Sequence, residues 1–148
     1  GYELNEEKYE EEVTQIKQQM FTVKRKFFFY KETKKCAVFG DYDTAVGMKQ
    51  LLEELGLEVN RAEILYQTEV EEPLVAGGTE FDRMKYLKQE SLLLLLGDGA
   101  TIEMDYTAKS SHQVSNPNLH HIMIYPYTPF IGFRGMLYWI EKILNISL

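Results

Sequence analysis

The sequence predicts one open, doubly wound α/β sheet of about four parallel strands behind a long N-terminal helix. Three observations carry this. Short apolar runs alternate along the chain with helix-period stripes, an order that implies right-handed crossovers and a parallel sheet with helices on both sides. One run, Leu92–Leu96, is apolar at every position, as strands buried on both faces are. The length of 148 residues suits one core, since domains commonly run about 100–150 residues.

The first element is helical. Tyr9, Val13, Ile16, Met20, Val23 and Phe27 recur at spacings of four and three, the stripe of a helix docked along one face. Acid comes first (Glu3, Glu6, Glu7, Glu10, Glu11, Glu12) and base last (Lys24, Arg25, Lys26, Lys31, Lys34, Lys35), an order that suits the helix macrodipole. The expected helix is Glu6–Lys26, with its charged faces in solvent. Phe27-Phe28-Phe29-Tyr30 is more aromatic than a free helix end requires, which points to a contact with another helix or domain. Residues 1–33 are read as this helix and its connector, and residues 34–148 as the α/β domain.

Cys36–Phe39 reads as the first strand, ending at Gly40-Asp41. Ala45, Met48, Leu51, Leu52 and Leu55 trace the following helix, which stops at Gly56. The next strand lies within Leu57–Leu65, and Gln67–Thr79, holding Pro73 and Gly77-Gly78, is a loop. Phe81, Met84 and Leu87 mark a short helix before the strand Leu92–Leu96. A helix is expected from about Ala100 to Lys109, then a fourth strand at Ile122–Tyr125 and a last helix at Phe133–Leu144 with Leu137, Ile140, Ile143 and Leu144 inward. This order belongs to the Rossmann-like and flavodoxin-like architectures.

Composition removes several classes of function. A net charge of −7 argues against nucleic acid as a partner, because phosphate contacts need a basic surface. No apolar run is long enough to span a membrane, and the N-terminus lacks the pattern of a cleavable signal, so a cytoplasmic setting is expected. The single cysteine, Cys36, offers neither an internal disulfide nor a Cys-rich metal framework, and as the start of a central strand it is expected to be buried and inert. Gly1 in place of an initiating Met suggests an excised piece with a tag scar at its front.

In open parallel sheets the ligand crevice lies beyond the carboxyl ends of the strands. Three turns should meet there: Gly40–Asp43, Gly97–Thr101 and Tyr125–Gly135. Each opens a helix whose first amides lack internal partners and can face an anion or a polar cofactor edge. The candidate cofactor-binding residues are therefore Gly97, Asp98, Gly99, Thr101, Tyr125, Gly132, Arg134 and Gly135. Gly97-x-Gly99 starts like a dinucleotide fingerprint, but Ile102 stands where the third glycine belongs. Asp41 and Asp43 could hold Mg²⁺ or act as acid and base, as acids do in receiver domains, although helix capping is the commoner use of such residues. Ser110-Ser111-His112 lacks a nucleophile elbow. Tyr138 and Trp139 fit packing better than base stacking. No catalytic residue is assigned.

The segment from His120 to Gly135 packs Pro126, Pro129, Gly132 and Gly135 between a strand and an amphipathic helix. On Pro129 and Gly132-Phe133-Arg134-Gly135 the chain resembles the nitrogenase component 1 family of oxidoreductases, and the element order matches back to Lys34. The resemblance implies the third domain of a three-domain subunit, with a metallocluster or tetrapyrrole in the cleft among the domains. It implies as partners the remaining domains of that subunit, a related partner subunit and an ATP-dependent iron–sulfur reductase. The family's cluster-bridging cysteines belong to earlier portions, so no cofactor is expected on this piece alone and it should not turn over. In catalytic nitrogenase chains of the family a cofactor-ligating histidine lies ten residues before the first glycine of Gly-Phe-x-Gly. Ile122 stands there, and His121 sits one step away, where a strand turns its side chain to the opposite face. His121, with His120 beside it, is thus the candidate metal ligand, and a divergent member or cofactor scaffold is favoured over a dinitrogen-reducing subunit. Arg134 stands where such chains often carry an acid, which suits a carboxylate-bearing ligand. The alternative reading is a non-catalytic receiver-like or small-ligand-binding α/β module.

Overall fold

The computed structural model describes residues 5–104, 107–117, 119 and 131–147. The chain divides into two compact units, one of residues 1–29 and 123–146 and the other of residues 30–122 and 147–148.

The larger unit holds a five-stranded, all-parallel sheet. Its strands are β1 (Lys35–Gly40), β2 (Glu58–Ile64), β3 (Val75–Ala76), β4 (Leu94–Gly97) and β5 (Ser110–Gln113), in spatial order β3-β2-β1-β4-β5. The middle strand is therefore β1, with the Leu92–Leu96 strand beside it. The order runs outward from β1 in both directions, the reversal that doubly wound sheets show. All of Leu92–Leu96 is buried, as a strand covered on both faces requires.

Residue register sets what each face carries. Cys36, Ala37 and Val38 lie beside Leu94, Leu95 and Leu96. Ala37, Phe39 and Leu95 form a buried cluster with Leu65, Leu87 and Leu92, closed by Tyr86, Ile102, Met104 and Ala108. Helices α3 (Glu80–Gln89) and α4 (Gly99–Glu103) supply Tyr86, Leu87 and Ile102 to it. Helix α2 (Tyr42–Glu54) packs on β1 and β2 and buries Ala45, Met48 and Leu52. The β1–β2 register slips by one residue at Cys36/Ala37, so Asn60 has no partner, a bulge that turns the rest of β2 over. Arg61 and Glu63 consequently lie opposite Ala37 and Phe39.

Helix starts follow ordinary capping chemistry. Asp41 caps α2, and Thr79 and Asp82 form a reciprocal capping box at α3. The short helix at Phe81–Leu87 is thus extended by one turn's worth of polar residues at its ends. Two expectations need correction. Residues 100–109 are not one helix: α4 stops at Glu103, and Lys109 leads directly into β5. The sheet also has two strands that periodicity did not announce, β3 inside the expected loop and β5 at the polar Ser110–Gln113. The expected strand Ile122–Tyr125 lies outside the described residues.

Cys36 lies buried in the middle strand. Burial pushes its thiol up to about 12, and the thiolate is the reactive form. Native chain should therefore leave a thiol reagent such as DTNB unreacted at pH 8 over minutes, and unfolded chain should react with it stoichiometrically.

The smaller unit contains α1 (Glu6–Phe28) and α5 (Gly132–Leu144). The Tyr9 and Phe133 rings meet at 5.5 Å, and at the other end Lys26 Nζ donates to the carbonyls of Leu144 and Ile146 at 2.7 and 2.8 Å. Near-N-terminal residues meet at one end and C-terminal ones at the other, so the two helices run in the same direction. Lys26 closes the last turn of α5, the end where a cation is favoured. Ile16, Val23 and Phe27 of α1 are buried, as are Gly135, Trp139, Ile140 and Ile143 of α5.

Candidate functional site

Because every strand runs the same way, the carboxyl ends of β1 and β4 are neighbours, and the turns Gly40–Asp43 and Gly97–Thr101 leave the sheet side by side. Their chemistry is largely turned inward. Asp41 accepts from Thr44 N at 3.0 Å and from Thr44 Oγ1 at 3.0 Å. Asp98, buried in the same role, accepts from Thr101 N at 2.9 Å. The stretch after β5 folds back over both turns. Gly99 N donates to Pro117 O at 2.9 Å, Ser115 Oγ stands 3.5 Å from Asp41 Oδ2, and Leu119 N donates to Gln113 Oε1 at 3.0 Å.

This covering explains Gly99. A Cβ there would stand 2.6 Å from Pro117 O and 2.7 Å from Leu119 Cβ, closer than atoms can approach. Gly99→Ala should therefore destabilise by about 1–3 kcal/mol, as overpacking does. Gly47, on α2 with nothing within 4 Å of its built Cβ, should respond oppositely, gaining about 0.5–1 kcal/mol as Gly47→Ala. Urea titration of both variants checks the pair.

The third turn differs. Helix α5 starts at Ile131, which forms no side-chain cap, whereas Asn5, Asp41, Thr79 and Asp98 each cap their helix by a side chain. Gly132 has φ +68, and no atom of the described residues beyond its chain neighbours lies within 4 Å of a Cβ built there; glycine adopts this left-handed conformation at no steric cost. The Arg134 guanidinium is exposed and forms no ion pair among the described residues. Gly135 is buried along the inner side of α5. His120, His121, Ile122 and Tyr125 lie outside the described residues.

Among the described residues no group of three or more His, Cys, Asp or Glu could hold a metal ion, and the one thiol is buried inside the sheet with its proton held tightly. Asp41 caps α2 through Thr44, and Asp43 stands exposed in the first turn of the same helix. Ser110 Oγ and His112 Nε2 stand 3.2 Å apart, but both lie on β5 rather than at a strand-to-helix elbow.

Sequence reading missed one polar constellation. Glu63 is fully buried. Arg61 Nε and Nη2 donate to its Oε2 at 2.8 and 2.6 Å. Gly78 N donates to Oε1 at 3.0 Å and Arg83 Nη1 approaches the same oxygen at 3.4 Å. Arg83 also reaches Gly78 O at 3.1 Å, and Arg61 lies over the Tyr86 ring at 4.9 Å. The cluster ties β2 to the turn between β3 and α3. Opposite charges two residues apart on a strand share a face, so Arg61 and Glu63 were the available signal.

With this geometry in place, comparison with known proteins decides the family. The chain matches the family Nitrogenase component 1 type Oxidoreductase over residues 1–148. It belongs to that family. A structure of nitrogenase Cp1 at pH 6.5 superposes with a TM-score of 0.67 at 21% identity, over 93% of this chain and 32% of that one. At this identity the likeness concerns the fold, and the nitrogenase component 1-type chain described here spans about a third of the length of that relative. No curated protein matches it in sequence.

Proposed function

We propose that this chain is the third domain of a nitrogenase-like oxidoreductase component and supplies one wall of a cleft that holds a metallocluster or tetrapyrrole. The observation that carries the reading is the start of α5. Among the described residues it combines a helix N-terminus without a side-chain cap, a left-handed glycine at Gly132 and the exposed guanidinium of Arg134. The first amides of a helix and a cation favour an anionic ligand edge, and guanidinium grips carboxylates with two parallel bonds.

Within this reading the residues divide the work. Gly132 and Arg134 face the ligand, Tyr125 is proposed as a further contact, and Gly135, buried along α5, supports the turn without touching the ligand. In the Gly97–Thr101 turn the amides of Gly99 and Thr101 are already bonded within the chain, so they are not ligand donors in this reading. His121 is the proposed metal ligand if the cofactor is a cluster. What the described residues do is orient and electrostatically hold a ligand edge. No electron or proton step is assigned to them, and the chain alone is inactive in this reading. The remaining domains of the subunit, a related partner subunit and an ATP-dependent iron–sulfur reductase complete the activity, in the cytoplasm.

Full-length protein, purified anaerobically, tests this through its metal content and absorption spectrum. An iron–sulfur or tetrapyrrole chromophore on the full-length protein, and none on the 148-residue chain alone, is the expected result. Colourless, metal-free full-length protein would refute the assignment.

A further inference from the structure

We draw no further inference here: the strongest candidate, the surface patch at the carboxyl ends of β1 and β2 where Tyr42 and Tyr66 stand exposed, belongs to a chain that spans about a third of its matched relative, and nothing in the structure shows what covers it.

Discussion

Replacing Glu63 by Ala is expected to lower the unfolding free energy by about 3–5 kcal/mol, the range for removing one partner of a buried ion pair. The carboxylate is fully buried and receives both Arg61 and the Gly78 amide. Removing it leaves cationic donors inside the fold without an acceptor, and buried charge unpaired is the costly state. The turn between β3 and α3 should loosen with it, because Arg83 and Gly78 are held to the same group. Glu63→Gln keeps one acceptor oxygen and should lose less. Urea denaturation of the two variants checks the order, and equal small losses would show that the network is dispensable.

Truncating Leu95 to Ala should destabilise by about 2–5 kcal/mol, combining lost transfer free energy with the cavity left behind. Leu95 is fully buried on β4 beside Ala37, in the cluster with Phe39, Leu65, Leu87 and Leu92. Ala37 is too small to fill the space, and β4 is held between β1 and β5, so the backbone has little room to close in. The midpoint of urea unfolding should fall with its slope unchanged.

Elements with strong periodicity were legible from residues alone. Leu92–Leu96 has no polar member, and the α1 stripe repeats over many turns, so burial on two faces or one leaves a clear signature. The missed strands carry no such signal. Val75–Ala76 is two residues long, and Ser110–Gln113 is polar and pairs through its backbone, to which side-chain hydropathy is blind. The same polarity let an expected helix run on to Lys109.

The site shows a similar division. Asp41 and Asp98 stand at the strand ends where glycine-acid turns predict them, and capping is what both do. That the 114–119 stretch would cover Gly99 was not readable, because it depends on where β5 ends. The bulge at Asn60, which brings Arg61 and Glu63 to the α3 side, is likewise a register event with no composition of its own. Arg134 and Gly132 were picked out by the resemblance and by the turn they form, and the missing side-chain cap at Ile131 adds an observation that no sequence pattern contained.

Cofactor retention by full-length protein carrying Arg134→Ala measures the central proposal most directly, read as chromophore remaining after dialysis against wild type. Loss of a charged hydrogen bond should weaken retention by about 1.5–3 kcal/mol, while Gln50→Ala, at an exposed position of α2, should leave it unchanged. Equal retention by Arg134→Ala and wild type would contradict the placement of this domain's α5 against the ligand.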